Sequence, residues 1–297
     1  MMNAILTPFI FILHTALQIL NLAWWGGLII LLGLVKLIVP HAGFRHALLN
    51  IMHGFMFCFG KVSVAFIRLF NNVEFDYRVH GNLSKQSWYL IVANHLSYLD
   101  IILLIDFAAP RIPAPKFFLK QELIWLPFVG LGAWALDMPF MRRYSRAYVE
   151  KYPHKKGKDL ETTRQYCQKF RTTPTTVINF VEGTRFTTKK HASKVSPYRY
   201  LLPPRAGGVA FTLSTMGELF TNVLDVSLLY PGSNRHPMMA MLSGRMTRIV
   251  IDVTVMDVPD PAPQVAADVQ DFRVRFQGWL NRLWTEKDNR ISQILGQ

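Results

Sequence analysis

The pattern of apolar residues at the start of the chain predicts two long helices. No Asp, Glu, Lys or Arg occurs before Lys36, and an apolar run covers residues 9–39. As a helix, this run of about 31 residues would be roughly 45 Å long, whereas the hydrocarbon core of a bilayer is about 30 Å thick. A second run, 48–69, keeps its apolar residues at helical spacing. The two runs predict a two-helix membrane anchor at residues 1–72.

The N-terminal region also allows other interpretations. A cleaved signal peptide would have a basic start, a shorter apolar core and a small-residue cleavage site, and residues 1–39 have none of these. Both helices could instead be buried in the core of a soluble domain, but the uncharged length of the first run favours an anchor. Arg45, Lys61 and Arg68 come after that run, so the positive-inside tendency places the rest of the chain in the cytoplasm.

From residue 73 onward, short apolar runs alternate with amphipathic segments. Runs that are apolar throughout are typical of strands buried on both faces of a parallel sheet. The pattern therefore predicts an α/β domain at 73–297, with a mixed, largely parallel sheet flanked by helices. The predicted strands are 74–81, 88–93, 175–181, 223–230 and 248–255.

A further apolar stretch, 123–141, is nearly uncharged. It contains Pro127, Gly130, Gly132 and Asp137, which argue against a membrane-crossing helix. We interpret it as a buried or interfacial hairpin. An apolar wall of this kind would suit an acyl chain.

The composition restricts the choice of partner. The formal net charge is +14 with an isoelectric point near 9.9, which requires nucleic acid, an anionic membrane surface or a phosphorylated substrate. Hydrophobic residues make up 51% of the chain, and nucleic-acid-binding proteins rarely open with a long apolar segment. We therefore predict an anionic membrane and no nucleic acid. Cys58 and Cys167 stand in unrelated contexts and predict neither disulfides nor a metal site.

The strand 88–93 leads into the first stretch that can carry chemistry. Asn94 is predicted to form a turn or a helix N-cap, and a helix can continue from Ile101. His95 then lies where an open α/β sheet usually presents its reactive groups, at the carboxyl end of a strand.

His95 and Asp100 are candidates for a catalytic pair. A carboxylate that accepts the Nδ1 proton of a histidine leaves Nε2 free as a general base. The two residues do not share one helix face, so His95 must precede the first turn. The same spacing recurs at His154 and Asp159, in a basic loop with no strand before it. Spacing alone is therefore weak, and the preceding strand selects His95.

A second informative stretch comes directly after the strand 175–181. Glycine lets the backbone turn tightly, and arginine can hold a phosphate with two hydrogen bonds. Glu182 either accepts a hydrogen bond from a substrate hydroxyl or merely holds Arg185. The alternative for these four residues is an ordinary turn with a surface arginine. The stretch reads Glu182, Gly183, Thr184 and Arg185.

The two stretches in this order resemble the motifs of the glycerolipid (lysophospholipid) acyltransferase family. They are similar in particular to its members that make phosphatidic acid from lysophosphatidic acid. Between them, the segment 140–143 looks like the second block of the family, which singles out Arg143, with Arg142 as the alternative. The resemblance covers roughly residues 73–288.

This resemblance implies a reaction and a site. His95, oriented by Asp100, would remove the proton from the free hydroxyl of 1-acylglycerol-3-phosphate, which attacks the thioester of acyl-CoA or acyl carrier protein. The same histidine would protonate the leaving thiolate, and neither a metal nor a bound cofactor is required. The residues implied in binding the phosphate are Arg143, Glu182, Gly183, Thr184 and Arg185.

The implied place is phospholipid biosynthesis in a bacterial inner membrane, with the catalytic domain on the cytoplasmic face. Two alternatives remain open. One is acylation of another lysophospholipid on the same fold. The other is a non-catalytic membrane lipid-binding protein, against which the combination of His95, Asp100, Glu182 and Arg185 argues.

Overall fold

The computed structural model describes residues 2–141, 170–259 and 269–296. Two long helices begin the chain, α1 (Met2–Ile38) and α2 (Ala42–Phe70). Both are long and apolar enough to cross a membrane. They pack side by side in opposite directions, and Asn21 of α1 donates hydrogen bonds across the interface to Ser63 Oγ at 2.9 Å and Phe59 O at 3.1 Å.

A six-stranded sheet forms the centre of the rest of the chain. Its strands are β1 (Glu74–His80), β2 (Tyr89–Ala93), β3 (Pro115–Phe117), β6 (Thr176–Phe180), β7 (Asn222–Leu229) and β8 (Arg248–Met256). Its order is β1-β8-β7-β2-β6-β3. Strands β7, β2, β6 and β3 are parallel, β8 is antiparallel to β7, and β1 is parallel to β8. The predicted mixed, largely parallel sheet is confirmed. A separate two-stranded sheet is formed by β4 (Leu119–Lys120) and β5 (Phe140–Met141).

Helices cover both faces of this sheet. After α2 they are α3 (Leu99–Arg111), α4 (Val129–Ala135), α5 (Thr188–Ser193), α6 (Ala206–Met216), α7 (Pro237–Leu242) and α8 (Val269–Leu295). Strand β2 shows why its sequence is apolar throughout. Tyr89 and Ile91 pack into one buried cluster with α2 and α3, and Leu90 and Val92 pack into another with α6 and α8.

A buried lysine fixes the last helix, α8, to the sheet. Lys287 is fully buried, and its ammonium lies 2.7 Å from Asp225 Oδ1 on β7. It also donates hydrogen bonds to Val226 O at 2.7 Å and to Val92 O at 3.2 Å. Arg290 pairs with the same aspartate. The charged side chains of α8 therefore join β2 and β7, the two central strands of the sheet.

Helix α1 contacts the α/β domain near both of its ends. A side chain at Gly244, in the turn after α7, would lie 3.2 Å from Ile10, and Lys36 Nζ lies 2.9 Å from Asp137 Oδ2. Ile10 and Lys36 are about 39 Å apart along a helix. The α1–α2 pair thus lies alongside the domain. The predicted domain boundary at residue 72 falls between α2 and β1 and stays a prediction.

The stretch predicted as a hairpin does form one. A 3₁₀ turn at Gln121–Trp125 leads to α4, and Phe128 at the bend has a positive φ of 59°. We call residues 121–135 the apolar hairpin. It packs against the last turns of α1.

Candidate active site

The carboxyl ends of two neighbouring strands bring the two predicted stretches together. β2 and β6 are parallel, with Ala93 opposite Phe180, so both stretches leave the sheet at the same edge. Phe186 N donates a hydrogen bond to His95 O at 2.7 Å. The His95 ring stacks on Phe180, with ring centroids 4.1 Å apart. Parallel pairing therefore builds one site from two distant segments.

His95 and Asp100 form the predicted pair. The distance from His95 Nδ1 to Asp100 Oδ2 is 2.7 Å, and the carboxylate side chain is fully buried while the imidazole is 13% exposed. The same oxygen accepts hydrogen bonds from the backbone N–H groups of Leu96 at 2.7 Å and Ser97 at 2.9 Å. Because Oδ2 only accepts, Nδ1 carries the proton, and Nε2 is the nitrogen left to take another.

Tyr230 holds the second oxygen of the same carboxylate. Its hydroxyl donates a hydrogen bond to Asp100 Oδ1. The tyrosine is fully buried, and burial raises its pKa well above the ordinary value, so it stays a donor. The sequence predicted Tyr230 only as the end of a strand. β7 in fact ends at Leu229, and the only available signal was an aromatic hydroxyl just past the end of a strand that neighbours β2.

Asn94 has a different role from the helix cap that the sequence suggested. Helix α3 begins at Leu99, with Tyr98 in the cap position, so the N-cap interpretation is wrong. The Asn94 side chain donates to Leu228 O at 3.0 Å and accepts from Leu228 N at 2.8 Å. Its amide group takes the place of a peptide unit because the main chain has already turned away from β7. Asn94 thus fixes the start of the turn that carries His95.

Glu182 lies inside the site wall. It is 1% exposed, and its carboxyl oxygens make no hydrogen bond of regular geometry with any residue in the described ranges. Burial raises its pKa to about 8, although the backbone of Leu202 and the charge of Lys287 act to lower it, while the charge of Asp100 raises it. Within those ranges it forms no ion pair with Arg185, so the interpretation that it merely holds Arg185 has no support.

Gly183 and Thr184 form the turn after β6. Gly183 has a φ of 67°, a conformation that glycine adopts without strain, and its N–H donates to Phe180 O at 2.9 Å. Thr184 Oγ1 accepts a hydrogen bond from Lys190 Nζ at 2.6 Å. The predicted tight turn is present, and Lys190 supports it, a residue that the sequence did not single out.

Arg185 is exposed at the same edge. Its guanidinium carbon lies 4.0 Å from the centre of the Tyr98 ring, in the turn between His95 and α3. Other cations lie around the turn at 183–185, where Lys190 Nζ donates to Arg185 O at 3.0 Å and Arg205 would lie 3.5 Å from a Cβ at Gly183. Burial lowers the pKa of Lys194, and the charges of Arg205 and Lys190 lower it further. The site beside His95 is therefore electropositive and suited to an anion.

Arg143, the remaining predicted phosphate ligand, lies outside the described residues, as do Arg142, His154 and Asp159. The residues just before it form β5, which pairs with β4 through Leu119 and Phe140. In the ranges that the structure describes, no group of three or more His, Cys, Asp or Glu side chains could hold a metal ion. The expectation that no cofactor is needed stays a prediction.

A family model described as Acyltransferase matches residues 76–229, just over half of the chain. The chain belongs to the acyltransferase family. The matched region includes β2, β6 and both stretches that meet at the site. The family resemblance found in the sequence is confirmed.

Two curated relatives are both named 1-acyl-sn-glycerol-3-phosphate acyltransferase delta. The acyltransferase is 25% identical over 181 residues to 1-acyl-sn-glycerol-3-phosphate acyltransferase delta of Mus musculus, covering 58% of this chain and 43% of that protein. Its counterpart from Macaca fascicularis is 24% identical over 225 residues, covering 72% of this chain and 54% of the relative. The similarity thus spans about half the length of these relatives.

A solved structure is similar over nearly the whole chain. The 1-acyl-sn-glycerophosphate (LPA) acyltransferase PlsC of Thermotoga maritima superposes with a TM-score of 0.60 and 17% identity, covering 98% of both chains. At this identity the likeness shows the fold, and it includes the two N-terminal helices of this acyltransferase.

Proposed function

We propose that this acyltransferase moves a fatty acyl group from acyl-CoA or acyl carrier protein to the free hydroxyl of 1-acylglycerol-3-phosphate, which gives phosphatidic acid. The observation that carries the proposal is the His95–Asp100 pair, which opens beside an electropositive turn containing Arg185. The two relatives, both named 1-acyl-sn-glycerol-3-phosphate acyltransferase delta, support the same acceptor.

In this reaction His95 acts as a general base. Its Nε2 takes the proton of the acceptor hydroxyl, and the oxygen attacks the thioester carbonyl carbon. The carbon–sulfur bond then breaks, and the protonated His95 returns the proton to the departing thiolate. Asp100, held by two backbone N–H groups and by Tyr230, stabilises the imidazolium form. The scheme needs neither a metal nor a bound cofactor.

The anionic acceptor suits the turn after β6. A phosphate monoester carries between one and two negative charges at neutral pH, more than the single charge of a diester. Arg185 supplies a planar donor pair for it, and Gly183 and Thr184 shape the turn below. We include Arg143 and Glu182 in this binding group. Neutral Glu182 could donate a hydrogen bond, because its raised pKa keeps it largely protonated at pH 7.

We propose a membrane location for the enzyme, at the cytoplasmic face of a bacterial inner membrane. The anchor is residues 1–72 and the acyltransferase domain residues 73–297. Because α1 contacts the domain near both of its ends, we infer that the anchor lies along the membrane and does not cross it. The net charge of +14 favours an anionic membrane surface.

The test is thiol release from oleoyl-CoA by the full-length protein in detergent. Lysophosphatidic acid and lysophosphatidylcholine are compared as acceptors for the wild type, His95→Ala and His80→Ala. His80 is a matched control because it forms another His–Asp pair, 3.1 Å from Asp252, on an exposed part of β1.

We expect turnover only with the phosphate monoester, a loss of about 10²–10⁴-fold in His95→Ala and a change of less than about twofold in His80→Ala. Equal turnover with both acceptors would instead indicate remodelling of other lysophospholipids. Activity that survives in His95→Ala would overturn the mechanism. Binding of lysolipid without turnover of either thioester class would indicate a lipid-binding protein.

A further inference from the structure

The apolar hairpin exposes large apolar side chains at its bend. Trp125 is 87% exposed, Leu131 49%, Leu126 48% and Phe128 39%. Single exposed apolar residues are common on soluble proteins, but four large ones within seven residues form a contiguous patch. Such a patch marks a contact with another apolar surface.

The hairpin is fixed firmly to α1. A Cβ atom at Gly33 would lie 2.5 Å from Ala135 Cβ, and one at Gly26 would lie 2.9 Å from Phe128 Cβ. Only glycine permits this close approach. The Lys36–Asp137 ion pair closes the same contact at its end, at 2.9 Å. The hairpin and the last turns of α1 therefore act as one rigid unit.

The exposed surface of α1 continues that of the hairpin. Leu37 is 63% exposed and lies four residues after Gly33, so it is on the same side of the helix as the glycine contact. Leu34 is 50% exposed and lies on the neighbouring side of the helix, about 100° away. The two leucines continue the apolar surface of the hairpin onto α1.

The hairpin also leaves the sheet at the catalytic edge. It comes after β3, which is parallel to β6 with Phe117 opposite Ile178. The carboxyl ends of β3, β6 and β2 therefore point the same way, toward His95 and Arg185. The segment that leads into the hairpin therefore leaves the sheet at the edge that carries His95 and Arg185.

We propose that the apolar hairpin is a third membrane-binding element, which inserts its bend into the same lipid leaflet that holds α1. Its partner is the bilayer itself, because the patch continues the surface of the apolar anchor. Trp125 at the bend suits a position at the membrane–water boundary, where tryptophan is enriched. Phe128 lies against Gly26 and Ala135 against Gly33, so α4 runs along α1 and faces the same leaflet.

This contact would set the catalytic edge on the leaflet from which the lysolipid acceptor enters. That consequence rests on the proposed function, whereas the membrane contact does not. Two readouts therefore separate the two proposals: one measures insertion without turnover, and the other measures turnover.

The first readout is tryptophan quenching in vesicles of phosphatidylcholine and phosphatidylglycerol. The full-length wild type and Trp125→Phe are compared in vesicles with and without brominated acyl chains. The difference between the two proteins reports Trp125, and we expect bromine to reduce it at least twofold. Trp88→Phe is the control, because Trp88 donates to Phe170 O beside the opposite end of β2 and should report no bromine effect. An unquenched Trp125 would overturn the proposal.

The second readout compares Leu131→Asp with Val274→Asp, which changes a 65% exposed residue on α8. Each variant is assayed with lysophosphatidic acid in vesicles and in detergent micelles. We expect Leu131→Asp to lose about tenfold in vesicles and less than twofold in micelles, with Val274→Asp unchanged in both. An equal loss in the two media would overturn the proposal. If the wild type does not turn over, the function fails while the quenching result still decides the contact.

Discussion

Two buried aspartates in this molecule pair with a basic side chain at the same distance, and only one of the pairs is open to another molecule. Asp100 lies 2.7 Å from His95, and Asp225 lies 2.7 Å from Lys287. Both carboxylates are fully buried. His95, however, is 13% exposed, whereas Lys287 is not exposed at all. Burial of an aspartate is thus shared by both pairs, and access to its partner is what separates them.

The two basic side chains also differ in whether they can exchange a proton. An imidazole takes up and releases a proton near neutral pH. Lys287 is enclosed by carbonyl oxygens and a carboxylate; burial lowers its pKa, and Asp225 acts in the opposite direction. We call His95–Asp100 the open pair, because the imidazole is partly exposed, and Lys287–Asp225 the sealed pair, which holds α8 against the sheet. Glu182 is influenced by both, because Asp100 raises its pKa and Lys287 lowers it.

The largest effect, a loss of stability, is expected when the sealed pair is broken. Lys287→Met leaves the buried Asp225 without its fully buried partner, and only the partly exposed Arg290 remains beside it. We expect a loss of about 3 kcal/mol in the free energy of unfolding, because Arg290 still compensates part of the buried charge. Urea denaturation in detergent measures it. The double variant Lys287→Met with Asp225→Asn should recover part of the loss, because no buried charge remains uncompensated. Unchanged stability in the single variant would contradict a structural role for this pair.

A smaller effect sharpens the description of the open pair. Tyr230→Phe removes one hydrogen bond from the Asp100 carboxylate, and we expect kcat to fall about tenfold, or about 1.4 kcal/mol. The carboxylate would then attract the imidazolium proton more strongly, so the acidic limb of the pH–rate profile should move to higher pH. The pH dependence of kcat measures both effects.

Tyr89→Phe is the matched control for this variant. Tyr89 is also buried, but its hydroxyl accepts a hydrogen bond from Ser84 N at 2.8 Å, away from the pair. Its removal should lower stability and leave the pH–rate profile in place. If both variants shift the profile alike, Tyr230 does not act through Asp100.

A third effect is spread over several pH units and uses Glu182 as a reporter that lies between the two pairs. Its pKa is about 8 in the folded protein and 4.5 in an unfolded chain. Between these values the folded state keeps a proton that the unfolded state has lost, so stability falls as the pH rises. The slope from this group is at most about 1.4 kcal/mol per pH unit. Glu182→Gln should remove it, as seen in Tm between pH 5 and 8, and the exposed Glu286→Gln should not.

The sequence predicted those parts of the site whose signal is local. The apolar run before Asn94 and the strand before Glu182 both form, and parallel pairing alone then brings His95 close to Arg185. The hairpin was also predicted, from proline and glycine within an apolar stretch. In these cases a few adjacent residues carry the whole pattern.

The contacts that hold the site in place were not predictable in this way. Tyr230 reaches Asp100 across 130 residues, and Asn94 reaches Leu228 across 134. A lysine in a helix usually faces solvent, whereas Lys287 is fully buried. Its burial depends on Asp225 and on carbonyl groups of two other strands, which no pattern within the helix reveals.

The position of Lys287 along the chain also affects the order of events during synthesis. Val92, whose carbonyl it binds, precedes it by 195 residues. At translation rates of about 5–20 residues per second, the lysine is made roughly 10–40 s after the strand that it fastens. Helix α1 is made well before both. The apolar helix α1 of a nascent chain is therefore exposed while β2 and β7 still lack the lysine that joins them, and the sheet is complete only after residue 287 has been made.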